Sequence, residues 1–203
     1  KSIVDHIRNK ELDKALKLCE LNENNNNKHI ILNFKGVIQL LKNNLDLAKS
    51  NFLDSIKINN KFEDPIKNLY SLCLKKNDYK NLLIYAKKLI EIDKLNHQYT
   101  YQLAYALELN NDLIGAIKQY EIYLETGGKE PKKALNNIGG AHLKRNKPKI
   151  ALGYFLKAIE YGEDKIILNN TLKCYLKLRD FDNSETFFNK AKQIDQNFIE
   201  FIF

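Results

Sequence analysis

A pair of residues one helical turn apart, a small one followed by a larger one in every pair but Leu82 and Ala86, recurs along this chain at nearly constant distance. Ala15 precedes Cys19, Ala48 precedes Phe52, Leu82 precedes Ala86, Ala116 precedes Tyr120, Ala151 precedes Phe155 and Ser184 precedes Phe188. From Ala15 the steps are 33, 34, 34, 35 and 33 residues. A period of that size belongs to stacked helical hairpins, each too short to bury its own apolar face and dependent on its neighbours. The chain is therefore expected to be all-α, an α-solenoid of stacked antiparallel helix pairs.

Polar turns divide the chain at the same interval. Residues 1–28 read as a partial repeat: the end of one helix, a second helix over Lys10–Leu21, and a polar loop over Asn22–Lys28. Full repeats follow at 29–62, 63–96, 97–130, 131–164 and 165–198, and 199–203 reads as the start of a capping or further helix. Pro131 and Pro148 fit the first position of a helix, and Asp64-Pro65 reads as an N-cap acceptor followed by such a proline. Gly127 and Gly162 fit helix ends.

Composition sets limits on function. Hydrophobic content of 44% with 29% charged residues fits a folded, water-exposed chain. No apolar run approaches the roughly 18 residues that a membrane-spanning helix needs. The first residue is not Met and no signal-peptide pattern opens the chain, so it reads as a piece of something longer or a processed product. The net charge of +8 raises nucleic acid as a partner, but Arg8, Arg145 and Arg179 are the only arginines and the lysines are scattered. A solvated lysine-rich surface is the reading taken, with no nucleic-acid site. Cys19, Cys73 and Cys174 fall within apolar helical patterns and read as small buried hydrophobes of a reducing, cytoplasmic setting. No nucleophile–base pair, paired carboxylates, phosphate loop or metal-ligand spacing is present, so no enzyme, cofactor or metal is expected.

The repeats resemble those of the tetratricopeptide family. Leu32-Asn33-Phe34-Lys35-Gly36 and Leu135-Asn136-Asn137-Ile138-Gly139 resemble its first-helix opening, and Ala151, Phe155 and Ala158 fall on its three strongest second-helix slots. Ala116 and Tyr120 match two of these slots while Tyr123 departs at the third, and Tyr70 and Leu172 stand where glycine is expected. The resemblance implies a right-handed superhelix whose first helices line a concave groove for an extended peptide or a partner helix.

Two positions before the glycine slot, many family members carry an asparagine that points into the groove. Phe34, Asn68, Gln102, Asn137 and Asn170 stand there. A side-chain amide donates and accepts at once, so it can hold a peptide backbone without reading its sequence; it can equally bond the neighbouring repeat. Around these positions, Tyr101 and Tyr105 are i, i+4 neighbours and are expected to form an aromatic ledge, with Lys67, Lys133 and Lys173 supplying positive charge. An acidic peptide would complement that face, the alternative being lysines that are merely solvated. The family's two-carboxylate clamp is incomplete, because Ser71 and Asn137 stand where the clamp needs other residues. The chain reads as a protein-interaction scaffold. Alternatives are a region that presents substrates to a larger glycosyltransferase- or sulfotransferase-like enzyme, or a homo-oligomer assembled through the apolar tail at Phe198–Phe203.

Overall fold

The computed structural model describes residues 2–24 and 26–194. Among them it holds twelve helices and no strand. The chain forms two compact units. The first, Lys1–Lys94, contains α1 (Ile3–Arg8), α2 (Leu12–Leu21), α3 (Lys28–Leu41), α4 (Leu45–Ile58), α5 (Glu63–Lys75) and α6 (Tyr79–Ile92). The second, Leu95–Phe203, contains α7 (His97–Leu109), α8 (Leu113–Glu125), α9 (Pro131–Lys144), α10 (Pro148–Ile159), α11 (Lys165–Leu178) and α12 (Phe181–Ile194). Within each unit consecutive helices pack as hairpins and the hairpins stack, so that α3 also meets α5 and α9 also meets α11.

The turn inside each hairpin is one device used six times. Lys10, Asn43, Asn77, Asn111, Asn146 and Arg179 all adopt positive φ, between 54° and 63°. The residue after each donates its N–H to a carbonyl five positions back: Glu11 to His6, Asn44 to Gln39, Asp78 to Cys73, Asp112 to Leu107, Lys147 to His142 and Asp180 to Tyr175, at 2.9–3.0 Å. This is the Schellman closure, which satisfies carbonyls left open at a helix end. Asparagine tolerates the left-handed region better than most residues, which accounts for four of the six. Lys10 is a turn residue rather than the first residue of a helix, so α2 starts at Leu12, later than the sequence suggests. Asp78, Asp112 and Asp180 then cap the following helix by accepting an N–H three residues on.

Other helix starts differ from expectation. α1 carries its own capping box, in which Ser2 and Asp5 exchange backbone-to-side-chain bonds. α5 begins at Glu63, so Asp64 is not its cap and Pro65 lies in its first turn. Proline is tolerated there because the first four N–H groups of a helix have no partner within it. Pro131 and Pro148 do stand at their helix starts. Gly127 has φ +84°, and the Gly128 N–H closes on the Tyr123 carbonyl at 2.8 Å.

The first members of the repeating pairs lie in the core. Ala15, Ala48, Leu82, Ala116 and Ala151 are fully buried and Ser184 nearly so. Phe52, Tyr120 and Phe155 are fully buried one turn on, and the Phe52 and Phe155 rings press on Gly36 and Gly139. Where glycine is replaced, volume moves: Tyr70 is buried in the repeat whose aromatic slot holds Ala86. In the last hairpin Phe187, not Phe188, is the buried ring, packed with Leu168, Leu172, Tyr175 and Ala191, while Phe188 lies against that cluster half-buried. Cys19, Cys73 and Cys174 are buried free thiols. No helix among the described residues is long and apolar enough to cross a membrane. The apolar tail at 197–203 lies outside the described residues.

Candidate peptide-binding face

In the first unit, the two residues singled out by the sequence sit on α5. Asn68 donates from Nδ2 to Oδ1 of Asn33 on α3, at 3.0 Å. Its amide thus spans neighbouring repeats, and Asn33 is itself buried. Lys67 pairs with Glu63 at 2.8 Å and Asp64 at 3.6 Å on its own helix. Its charge is answered locally, which leaves less of it for a ligand.

In the second unit, α7, α9 and α11 are the first helices of three successive hairpins. Asn137 of α9 donates both amide hydrogens, to the Tyr101 hydroxyl at 3.0 Å and the Tyr120 hydroxyl at 2.9 Å. Both of its N–H groups are therefore committed, and the carbonyl oxygen is what it can offer a ligand. Tyr120 in turn donates to Glu108 Oε2 at 3.3 Å, and Lys144 donates to Glu108 Oε1 at 2.8 Å. This polar seam joins α7, α8 and α9. Burial pushes the Tyr120 hydroxyl well above its ordinary pKa, with Glu108 adding to the effect. Burial also raises Tyr101 to about 12, against the opposing hydrogen bond from Asn137. Both phenols are neutral donors and acceptors at any physiological pH.

The expected ledge of Tyr101 and Tyr105 takes another form. The Tyr101 ring packs edge-on against Tyr120 and Tyr123, each at 5.3 Å between centroids. Tyr123 occupies the slot where the family carries a small residue. Room for it comes from Gly128, where a Cβ would meet the ring at 2.3 Å, and its hydroxyl accepts the Glu130 N–H at 2.8 Å. Tyr101 therefore packs, half-buried, against a buried cluster that holds Tyr120 and Tyr123, and Tyr105 and Gln102 are likewise half-buried on α7. The physical reason is size: Tyr120 and Tyr123 leave an aromatic hollow that the nearest ring of the facing helix fills.

The other residues do converge. Asn137, Asn170 and Lys173 line one recess of about 360 Å³ together with Glu108, Asn136, Gly140, Leu143 and Lys144. Asn170 donates to Asn136 Oδ1 at 3.0 Å, repeating between α11 and α9 the bond that joins α5 to α3. Lys173 is exposed and makes no ion pair among the described residues. Lys133 lies in an adjacent recess of about 260 Å³ with Lys132, Asn136, Asp164, Ile166 and Ile167, and is paired to Glu130. Sequence reasoning missed Glu108 and Lys144. They are 36 residues apart and meet only because the repeats stack.

No protein-family model and no curated protein matches the chain. Comparison of structures defines the class: a tetratricopeptide-type solenoid of stacked helix pairs. The C-terminal part of a TPR repeat-containing protein from Cytophaga hutchinsonii superposes with a TM-score of 0.80 at 18% identity, over 96% of this chain and 81% of that one. The MamA protein gives 0.76 at 14% identity, over 88% and 97%. Pseudomonas aeruginosa PilF gives 0.64 at 16% identity, over 83% and 77%. At these identities the likeness is one of fold.

Proposed function

We propose that this chain is a non-catalytic interaction scaffold whose second unit binds an extended peptide segment of a protein partner across α7, α9 and α11. The recess that gathers Asn136, Asn137, Asn170, Lys144 and Lys173 supports this reading. Its lining is three amides, two lysines, the Glu108 carboxylate that Lys144 pairs with, and one apolar side chain, Leu143, which suits a main chain and acidic side chains better than an aromatic anchor. Lys173 is the cation left without a carboxylate, so it sets the charge preference. Each amide contact contributes about 0.5–1.5 kcal/mol net, so several together are needed for useful affinity.

A display library of random dodecapeptides selected against the chain should yield extended, acid-rich binders. Lys173→Glu combined with Asn170→Ala should weaken the tightest of them by about tenfold or more, equivalent to about 1.4 kcal/mol. Unchanged affinity in that double variant, with the helical spectrum intact, would place the site elsewhere.

A further inference from the structure

Five glycines lie inside helices, and three have a packing reason. A Cβ on Gly36 would meet the Phe52 ring at 2.4 Å, one on Gly139 the Phe155 ring at 2.6 Å, and one on Gly115 the carboxylate of its own cap, Asp112, at 2.6 Å. Gly140 and Gly153 are different: a Cβ at either would meet nothing within 4 Å. A glycine inside a helix weakens it relative to alanine, because its backbone is freer in the unfolded chain. Gly153 sits on the exposed face of α10. Gly140 sits in the recess, on the same face of α9 as Asn136, Asn137, Leu143 and Lys144, which stand three and four residues to either side of it.

We infer that Gly140 is the point where the partner's main chain crosses α9, its missing Cβ letting the peptide backbone approach the helix backbone directly. The inference rests on the groove reading above and goes further, naming what part of the partner enters and where. The walls favour a main chain over a bulky side chain. Beside the bare stretch of helix stand the Asn137 carbonyl oxygen and the amide atoms of Asn136 and Asn170 that their mutual bond leaves over, and Leu143 is the one apolar wall. A methyl group at 140 would stand between the amides and hold a main chain away from them. Discrimination by a single methyl group at a close contact is commonly tenfold or more.

The test uses the tightest fluorescein-labelled dodecapeptide from the display selection, with anisotropy as the readout. Gly140→Ala and Gly153→Ala should each raise Tm by about 2–4 °C, since both replace an unpacked helical glycine. Gly140→Ala should weaken binding by about tenfold or more, while Gly153→Ala leaves it unchanged. In the wild-type chain, N-methylation of one or two consecutive peptide bonds of the dodecapeptide should abolish binding. Wild-type affinity in Gly140→Ala overturns the inference. So does a dodecapeptide that tolerates N-methylation throughout yet loses binding on truncation of a single side chain. If Gly140→Ala binds normally while Lys173→Glu with Asn170→Ala does not, the groove reading stands and this crossing point falls. A selection that yields no binder removes both.

Discussion

Replacing Gly139 by alanine should destabilise the second unit, although the same change at Gly140 should stabilise it. At Gly139 a Cβ would lie 2.6, 2.8 and 2.9 Å from three atoms of the Phe155 ring, where ordinary contact begins at 3.4 Å. The ring has little room to yield, because Phe155 is fully buried among Leu135, Ala151, Ala158, Ile167 and Cys174. Overpacking of this kind costs about 1–3 kcal/mol. The helix regains about 1 kcal/mol from alanine's better propensity, which leaves a net loss of up to about 2 kcal/mol. Phe155→Leu alone should lose about 2 kcal/mol of buried surface. Together the two changes should cost less than their sum by about 1 kcal/mol or more, because the added methyl then occupies vacated space. Urea unfolding of the four proteins, followed by circular dichroism at 222 nm, measures the cycle. Additivity to within about 0.5 kcal/mol, or a gain of stability in Gly139→Ala, would refute the reasoning. Gly36 against Phe52 offers the same experiment in the first unit.

Arg179 and Lys10 occupy the left-handed turn position without asparagine's tolerance for it, so Arg179→Gly and Lys10→Gly should each stabilise by about 0.5–1 kcal/mol in thermal melts. His142 is buried and stacked on Tyr154 at 5.5 Å, and burial, with Arg145 and Lys147 nearby and Glu121 opposing, holds its imidazole below the ordinary 6.5. The unfolded chain then binds a proton that the folded one refuses. Stability should be complete above about pH 6.5 and fall as the pH drops towards the folded value. Tm measured from pH 7.5 to 5.0 should show a smaller decline in His142→Asn than in wild type. Burial pushes the Cys19 and Cys174 thiols up to about 11 and also raises Cys73. A thiol reagent at pH 8 should therefore label all three only after denaturation, and rapid labelling of the native chain would contradict their burial.

The repeat was legible because its signal is steric. A small residue where helices approach and a larger one a turn later are requirements of packing, and they return wherever the packing returns. The turn has the same period but was not legible in full. Asn43, Asn77, Asn111 and Asn146 suggest a left-handed position, whereas Lys10 and Arg179 occupy it for reasons their side chains do not display. The last hairpin shows a second limit. Phe187 and Phe188 are adjacent, and a modest rotation of α12 about its axis decides which one is buried. Hydrophobic period identifies the face of a helix but not the choice between two rings at its edge.

The site was legible to the level of a face. Some of what went unread was available: Glu63 and Asp64 before Lys67, and Glu130 before Lys133, stand at spacings where helical ion pairs form. The rest depends on stacking. Asn33 and Asn68 are 35 residues apart and Asn136 and Asn170 are 34 apart, one repeat in each case. Amides that recur once per repeat on a common face therefore lie within reach of one another as well as of a ligand. A periodic face built from amides bonds to itself first, and on the proposed reading a partner would be recognised by what remains. On that reading the remainder in the second unit includes Lys173, the Asn137 carbonyl oxygen and the bare backbone at Gly140; the first two are marked in the sequence by residue type and position, whereas glycine carries no functional group to mark it.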